Sequence, residues 1–415
     1  MPQATGMIMR TLHVLQRYTN CCLAGFALIV LGCVYPYDPQ PEPGITSGTG
    51  TVSGDAGVRV FPINGVAQIC NPSMVLDTVT YPGSMLWLNF SGELQVRVPD
   101  SLSSFSGWSL QHDRLTIVDT SNTVRWFIKR ETFGAGEAEE LQDPEWSTHP
   151  DYLVCLLSSD SQRKWGCYAV RPKSSSFLQL CSEGLDQTST PHLWIDPESA
   201  PGTAPDTVRF DESGCADSAS VATFFGTDRV KLVASKLTGR TLSLYYRDFS
   251  DGSGTWIPLK RPVGRDGWQC ESALISPDGK WIVFNAYDNP KNYEVYLQRL
   301  TPGSSPILFE KQASDPHWWV HPSDASLLYI VYQVVPGDNL VRGDLAEPDL
   351  LASGELGTTR QQWVTLFPDA STASASLVRN GNPEILVSLP TKGGRSPDGR
   401  YLCTGYDRAF IVGLP

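Results

Sequence analysis

The stretch Cys270-Glu-Ser-Ala-Leu-Ile-Ser-Pro-Asp-Gly-Lys-Trp-Ile-Val-Phe-Asn-Ala-Tyr-Asp288 contains a turn signal followed by a strand signal. Pro277 fixes φ at the turn, and Asp278-Gly279 supplies a polar residue and then one that accepts positive φ. The run Trp281 to Phe284 is aromatic and β-branched, which is typical of a buried strand. A polar segment and the alternating run Tyr293 to Leu300 follow it. The stretch therefore predicts a turn that leads into a β-hairpin.

The same unit recurs three more times. The other copies are Arg395-Ser-Pro-Asp-Gly-Arg-Tyr-Leu-Cys-Thr-Gly-Tyr406, Asp143-Pro-Glu-Trp-Ser-Thr-His-Pro-Asp-Tyr-Leu-Val-Cys155 and Asp315-Pro-His-Trp-Trp-Val-His-Pro-Ser-Asp324. The last two share D-P-x-W and H-P, and their His-Pro takes the place of Ser-Pro in the first two. A repeated unit of strand, turn and strand predicts an all-β chain folded as a β-propeller.

The spacing of the repeats favours blades of four antiparallel strands. The units at Pro277 and Pro322 lie about 45 residues apart, as do those at Pro150 and Pro197. We predict six blades, with seven as the alternative, and a degenerate blade in the wider gap between Pro197 and Pro277. We also expect the terminal strand Ala409 to Leu414 to close the ring, by pairing with Val58 to Phe61 or with the strands near Trp87.

The S-P-D-G units resemble the repeats of TolB-type (WD40-like, PD40-type) propellers, in which S-P-D-G-K opens an inner strand of each blade. TolB itself has an α/β domain before its propeller, whereas this chain has only a linker there, so a Tol–Pal role is not implied. Related propellers of the prolyl oligopeptidase type carry a hydrolase domain, but no G-x-S-x-G motif occurs here. The resemblance assigns structural repeat turns to the following residues: Ser276, Pro277, Asp278, Gly279, Ser396, Pro397, Asp398, Gly399, Pro150, Asp151, Pro322 and Asp324.

Residues 1–32 have the pattern of an export signal. Arg10 and Arg17 precede the uncharged apolar run Cys21 to Gly32. The segment ends Val-Leu-Gly before Cys33, which resembles a bacterial lipobox and predicts lipidation of Cys33. An uncleaved helix and ordinary cleavage before a free cysteine are the alternatives, although the apolar run is short for a membrane span.

Residues 33–57 are rich first in proline and then in glycine, serine and threonine. Such a segment buries too little apolar surface to fold alone, and it is predicted to act as a flexible tether. The domain prediction is therefore a lipoprotein signal peptide over 1–32, a tether over 33–57 and a TolB-like β-propeller over 58–415. An Asp after the lipidated Cys is the inner-membrane signal of enterobacterial lipoproteins, and this chain has Val34 there instead.

The charge balance excludes one class of partner. The chain has a formal net charge of −12, and the first 32 residues contribute only two arginines to it. Nucleic-acid binding requires concentrated Lys and Arg, so no nucleic-acid partner is expected. An acidic body favours a basic or neutral partner and argues against an electrostatic hold on an anionic membrane surface.

The ten cysteines contain no C-x-x-C pair, so a zinc site is not expected. Export permits disulfides, and Cys155 and Cys167 flank a polar hairpin tip, so they are the candidate pair. The alternative is that these cysteines are buried small hydrophobic residues.

Three residues are candidates for ligand contact. His317 and His321 are four residues apart, but in a strand this spacing holds the side chains about 13 Å apart, so we predict no metal site and no cofactor. Trp319 could stack on a ligand, whereas Trp146 and Trp318 occupy a fixed repeat position that favours packing between blades. The stretch Ser250-Asp-Gly-Ser-Gly-Thr-Trp256 lacks the spacing of a sialidase Asp box and is interpreted as a glycine-rich turn.

These features predict a lipid-anchored protein of the bacterial cell envelope, attached to the outer membrane and facing the periplasm or the surface. The predicted function is a non-catalytic binding platform for an envelope protein or a cell-surface glycan. The alternative is a propeller carbohydrate-active enzyme of the polysaccharide lyase or glycosidase type, because a lyase acting on pectin fragments uses a TolB-like propeller with a His-rich metal site. A cluster of His, Asp, Glu or Arg that converges on the central channel would distinguish the two.

Overall fold

The computed structural model describes residues 52–53, 59–63, 69–89, 92–93, 96–105, 108–109, 112–137, 139–159, 164–186, 188–252, 254–289, 292–334, 340–346, 360–365, 394–398, 400–405 and 409–413. All of them belong to one unit, Glu42–Pro415. The predictions for the signal peptide, for Cys33, for Gly399 and for most of the tether lie outside the described residues.

The described strands form five four-stranded sheets, one five-stranded closing sheet and one short two-stranded pair. The closing sheet is formed by β1 (Val52–Ser53), β2 (Arg59–Ile63), β25 (Gly394–Arg395), β26 (Tyr401–Gly405) and β27 (Ala409–Gly413). Blade 1 is formed by β3 (Ile69–Met74), β4 (Met85–Asn89), β7 (Arg114–Val118) and β8 (Val124–Lys129). The short pair β5 (Gly92–Glu93) and β6 (Trp108–Ser109) lies between β4 and β7 in the chain.

The other four sheets each use four consecutive strands. Blade 2 is formed by β9 (Leu141–Trp146), β10 (Leu153–Ser159), β11 (Lys164–Arg171) and β12 (Ser176–Leu185). Blade 3 is formed by β13 (His192–Ile195), β14 (Val230–Thr238), β15 (Thr241–Asp248) and β16 (Ile257–Pro258). Blade 4 is formed by β17 (Gln269–Ile275), β18 (Trp281–Asn289), β19 (Asn292–Arg299) and β20 (Ile307–Lys311), and blade 5 by β21 (Ala313–His321), β22 (Asp324–Val334), β23 (Leu340–Ala346) and β24 (Arg360–Thr365).

Neighbouring strands within these sheets are antiparallel, and the sheets contact one another in chain order from blade 1 to blade 5. The closing sheet contacts both blade 5 and blade 1, so the six sheets complete a ring. The predicted β-propeller of four-stranded antiparallel blades is confirmed. Short 3₁₀ helices, Asp100–Leu102, Arg130–Phe133 and Pro172–Ser174, occur in the connections.

Strand β18 shows why the repeat folds as a blade. Its side chains alternate between the two faces of the sheet, as the period of two requires. Ile282 and Phe284 are buried against blade 3, whereas Trp281 and Val283 are buried against blade 5. Each burial of a large apolar side chain contributes about 1.5–3 kcal/mol relative to exposure. A strand that is apolar on both faces is therefore held between two neighbouring sheets.

The two chain ends meet in the closing sheet. Strand β2 pairs with β27 over five residues, from Arg59 opposite Gly413 to Ile63 opposite Ala409. The expected closure by the strand near Val58 to Phe61 is confirmed, and the strands near Trp87 belong to blade 1 instead. Strand β1 adds a fifth strand beside β2. The closing sheet therefore extends into the segment that composition assigns to the tether, because Val52 and its neighbours can still pair.

The S-P-D-G turn joins the first two strands of blade 4. Ser276 Oγ donates to Asp278 Oδ1 at 2.5 Å, and the same carboxylate oxygen accepts from the Lys280 backbone N–H at 3.1 Å. Gly279 has φ of +70°, a conformation that costs glycine little. Ser396 and Asp398 repeat the first bond at 2.5 Å in the closing sheet. The two units therefore share the Ser–Asp hydrogen bond.

The wide gap between Pro197 and Pro277 is explained by an insertion, not by a degenerate blade. It lies inside blade 3, between β13 and β14, and it contains helix α1 (Ser218–Phe225). Asp217 caps α1 by accepting from the Ser220 backbone N–H at 2.8 Å. Phe224 and Phe225 bury their rings in the core between blades 2 and 3. The repeat spacing could not reveal a helix inserted within one blade.

In the described part of the chain, no helix is both long enough and apolar enough to span a membrane.

Candidate functional site

The first strands of three blades carry one pattern. It is Asn71-Pro72-Ser73-Met74 in blade 1, Asp143-Pro144-Glu145-Trp146 in blade 2 and Asp315-Pro316-His317-Trp318 in blade 5. Each copy lies at an irregularity in the strand pairing, and φ is positive at Asp143 (44°) and Asp315 (50°). These bulges re-aim the side chains that follow them. The third residue of each pattern contributes to one central cluster.

The central cluster consists of Ser73, Glu145 and His317. Ser73 Oγ donates to Glu145 Oε1 at 2.5 Å, and it accepts from the Trp146 backbone N–H at 3.3 Å. His317 Nε2 lies 4.0 Å from Glu145 Oε2, and the exposed fractions of the two side chains are 13% and 2%. The carboxylate is thus held by a hydroxyl from one blade and faced by an imidazole from another.

The central cluster joins side chains from opposite sides of the ring. Blades 2 and 5 are separated in the ring by two sheets on either side, so they lie opposite each other. A separation of 4.0 Å between Glu145 and His317 therefore spans the centre of the ring. Ser73 and Glu145 are buried there, and His317 is partly buried.

The two histidines occupy successive parts of strand β21. His317 is opposite Val331 and His321 is opposite Asp324 in the pairing with β22. Among the residues that the structure describes, no group of three or more His, Cys, Asp or Glu side chains is arranged to hold a metal ion.

The tryptophans of the repeat join neighbouring blades. Trp318 Nε1 donates to the carbonyl of Leu274 in blade 4 at 2.9 Å. Trp319, a candidate for ligand contact, donates through Nε1 to the Ser396 carbonyl at 3.0 Å and is 4% exposed. The Arg395 guanidinium lies 4.0 Å from the Trp319 ring centroid, and burial lowers the pKa of Arg395 to about 10.

The turn of blade 2 is aligned differently from the sequence-based expectation. The Ser147 backbone N–H donates to the Tyr152 carbonyl as the Ser276 N–H donates to that of Trp281. In this alignment His149, rather than Asp151, stands at the place of Asp278, and its Nδ1 accepts from the Asp151 backbone N–H at 3.2 Å. Burial lowers the pKa of His149, which favours the neutral ring that can accept this bond. In blade 5, Pro322 follows β21 and Asp324 begins β22.

The disulfide is not the predicted one. Cys155 and Cys167 are both buried free thiols, and the bond joins Cys181 to Cys215. In the pairing of β10 with β11, Cys167 is opposite Leu156 rather than Cys155. The two thiols are therefore offset by one residue, which places them on opposite faces of the sheet.

A cavity of 440 Å³ opens on blade 3, next to the insertion. It is named here the acidic pocket, and its walls come from the loop after Phe210, the start of α1, the end of β15 and the predicted glycine-rich turn. That turn is present, with φ of +65° at Gly252 and +66° at Gly254. The charged lining comprises four carboxylates and one guanidinium, from Asp211, Glu212, Asp217, Asp248 and Arg247.

Arg247 is the organising side chain of the acidic pocket. It is 3% exposed, and its Nη1 donates to Ser213 Oγ at 2.5 Å and to the Gly254 carbonyl at 2.7 Å. Its Nη2 pairs with Asp211 Oδ2. Burial alone would raise the pKa of Asp211, but hydrogen bonds from Ser213 and Arg247 lower it below its usual value. Because the Arg247 guanidinium is paired with Asp211 and bonded to groups of the pocket wall, the carboxylates of Glu212, Asp217 and Asp248 give the pocket a negative charge.

Comparisons with known proteins do not identify a family. No family model and no curated protein matches the chain. Similar solved structures include an oligogalacturonate lyase in complex with manganese (12% identity, 89% of this chain and 99% of that chain, TM-score 0.38), TolB from Acinetobacter baumannii (14%, 69% and 66%, 0.29) and the Dos1 propeller (12%, 80% and 73%, 0.36). The protein is a member of the β-propeller class, on the grounds of its own sheets.

Two features of the site were missed in the sequence. Ser73 and Glu145 could have been found from the similarity of N-P-S-M to D-P-E-W and D-P-H-W, because the third residue of each pattern is polar. Arg247 gave no such signal, since its partners Asp211, Ser213 and Gly254 are distant from it in the chain or lie in loops.

Proposed function

We propose that this chain is a lipid-anchored β-propeller of the bacterial cell envelope that acts as a non-catalytic platform for an envelope protein or a cell-surface glycan. The observation that carries the proposal is the contrast between two places in the ring. At the centre, Ser73 is hydrogen-bonded to the buried Glu145 and His317 lies 4.0 Å from the same carboxylate, whereas the acidic pocket on blade 3 is an open cavity of 440 Å³. A cavity of this size with a few fixed polar groups is typical of a recognition site.

The charge of the acidic pocket limits what it can hold. Its lining has four carboxylates and one guanidinium, and that guanidinium is occupied by Asp211, Ser213 and a carbonyl. A ligand that brings an ammonium, a guanidinium or hydroxyl donors would satisfy these oxygens, whereas an anionic ligand would be repelled. We therefore infer a basic or neutral group on the partner.

The envelope location is supported by the leader, by the cysteine at its end and by the tether. The disulfide Cys181–Cys215 adds support, because such bonds persist in oxidising compartments. The test is metabolic labelling with a fatty-acid analogue in cells that express the wild type or Cys33→Ala. We expect label and processing in the wild type and neither in the variant. A wild type that is processed without label would refute the anchor.

The binding function is tested with the chain from Val34 onward, immobilised and exposed to solubilised envelope proteins and, separately, to a glycan array. Glu212→Lys reverses a charge on the exposed rim of the acidic pocket, and Glu198→Lys makes the same change at an exposed residue outside it. We expect capture to fall at least tenfold with Glu212→Lys and to be unchanged with Glu198→Lys. Equal capture by both variants would exclude the pocket, and no capture by the wild type would exclude the platform.

A carbohydrate-active enzyme is the second candidate, and the pairing of Glu145 with His317 is the observation in its favour. A carboxylate beside an imidazole is a common arrangement for proton transfer. The assay is turnover of neutral and acidic polysaccharides and of peptides, with and without added divalent metal. Turnover that is lost in His317→Ala would replace the binding function with this one, whereas the platform predicts no turnover in either protein.

A further inference from the structure

One wall of the acidic pocket is a segment that is fastened to blade 2. This segment, residues 210–216, is named here the strap. At one end, the Ala216 backbone N–H donates to the Leu180 carbonyl at 2.7 Å, and the Ser182 N–H donates to the Gly214 carbonyl at 2.8 Å. The disulfide from Cys215 to Cys181 lies between these two bonds. The strap thus continues blade 2 beyond its last strand, β12.

The other end of the strap builds the pocket. Asp211 and Ser213 both bond to Arg247, which belongs to blade 3. The Asp211 backbone N–H donates to the Cys215 carbonyl at 2.8 Å, and the Cys215 N–H donates to Asp211 Oδ1 at 3.3 Å. The Cys181–Cys215 disulfide therefore fixes Cys215, which in turn holds Asp211 in the position where it binds the Arg247 guanidinium.

A third sulfur lies beside this disulfide. Cys167 in β11 is directly opposite Cys181 in β12, and both are fully buried. The strand pairing is irregular on both sides of Cys167. In a regular antiparallel pair, directly opposite Cα atoms lie about 4.5–5.5 Å apart, which is within the range that a disulfide spans. Their side chains also point to the same face, and both join the core between blades 2 and 3. Cys181 therefore has two neighbours with which it can form a disulfide.

We propose that Cys167, Cys181 and Cys215 form a thiol–disulfide exchange set that fastens or releases the strap, and so regulates the acidic pocket. In the exchange, the Cys167 thiolate attacks Cys181 Sγ. A new bond forms between Cys167 and Cys181, the bond from Cys181 to Cys215 breaks, and Cys215 leaves as a thiolate. Cys167 gives up one proton and Cys215 takes one up, so the step needs no oxidant or reductant.

The consequence for the pocket rests on the proposed function. With Cys215 released, the strap keeps its hydrogen bonds to β12 but loses its covalent link to blade 2, so the position of Asp211 beside Arg247 is less constrained. Burial raises the pKa of Cys167 well above its usual value, so the thiolate is scarce at neutral pH and the fastened form persists there. As long as the pH is below that pKa, the rate of exchange should rise about tenfold for each unit by which the pH is increased.

The experiment follows the three cysteines in the folded chain from Val34 onward. The protein is held at pH 7 or pH 9, quenched in acid and alkylated with iodoacetamide in denaturant. It is then reduced, treated with N-ethylmaleimide and mapped by mass spectrometry. We expect Cys181 to stay in the disulfide fraction, while label at Cys215 rises at pH 9 as label at Cys167 falls by the same amount. Cys167→Ser should abolish this change, and Cys270→Ser, at a buried thiol in blade 4, should not.

A second variant keeps the proposal testable if the wild type exchanges slowly. Cys215→Ser, placed in a glutathione redox buffer, should form the Cys167–Cys181 bond and increase amide hydrogen exchange over residues 211–216 at least tenfold. Two results together would overturn the exchange set: Cys215 remains in its disulfide at both pH values in the wild type, and Cys167 and Cys181 remain unlinked in Cys215→Ser. A Cys155–Cys167 bond would also overturn it. These measurements use no ligand, so exchange without any captured partner would refute only the proposed function.

Discussion

Gly279 is the residue at which the repeat turn meets the neighbouring blade. A Cβ atom built on it would lie 2.5 Å from Trp194 Cε2, and the Trp194 Nε1 donates to the Pro277 carbonyl at 2.8 Å. The turn therefore needs glycine for two separate reasons, its positive φ and the closeness of an indole ring. Only the first could be predicted from the S-P-D-G sequence.

Substitution at Gly279 should therefore cost more than positive φ alone. Gly264→Ala is the matched control, since φ is +73° there and nothing lies within 4 Å of its Cβ position. We expect Gly264→Ala to lower the free energy of unfolding by about 1 kcal/mol, and Gly279→Ala by about 1–3 kcal/mol more because of the collision with Trp194. Urea unfolding of the two variants measures the difference, and equal losses would show that the indole moves aside freely.

At the scale of elements, strand β19 is joined to the loop before β17 by an ion pair between the buried Glu294 and the partly exposed Arg265. Arg265 Nε and Nη2 each lie 3.0 Å from the Glu294 carboxylate, and the Tyr296 hydroxyl donates to it at 2.5 Å. Burial alone would raise the pKa of Glu294, but the bonds from Arg265 and Tyr296 lower it below its usual 4.5. The ionised carboxylate is thus the form that stabilises the folded state.

This pair predicts a loss of stability in acid. Because the folded pKa is depressed, the contribution of Glu294 is fully present above about pH 4.5 and is lost as the pH falls through the folded value. Glu294→Gln should lower stability at pH 7 and flatten the decline between pH 4.5 and pH 3. Glu198→Gln, at an exposed position, should change neither. Denaturant titrations across this range provide the measurement, and an unchanged acid slope in Glu294→Gln would contradict the assignment.

The elements that the sequence revealed are those that repeat. The strands around Trp281 and the turns at Ser276 and Ser396 follow from local residue chemistry that recurs along the chain. The insertion with α1, the Cys181–Cys215 bond and the acidic pocket do not belong to the repeated unit, and they depend on contacts between residues far apart in the chain. The central cluster is partly predictable. The pattern that supplies its residues repeats in the sequence, but the meeting of Glu145 and His317 across the ring depends on the arrangement of the blades.

For the whole molecule, the ring depends on a sheet made from both chain ends. Removing β2 should open it, because β27 then loses its outer partner over five residue pairs. A chain that starts at Asn64 should lose about 3–5 kcal/mol of stability relative to one that starts at Glu42, at about 1 kcal/mol for each lost hydrogen bond. A start at Gly54 removes only β1 and should cost little. Urea unfolding of the three chains tests this, and equal midpoints would mean that the ring does not need β2.

The closing sheet also sets the order in which the protein can mature. Its β2 strand is synthesised before blades 1 to 5, but its partner β27 is synthesised after them, so the edge of β2 stays unpaired while these blades are being translated. An unpaired edge is a template for pairing with another chain. A ribosome that stalls before Ala409 would therefore leave a product with blades 1 to 5 translated and the edge of β2 still exposed.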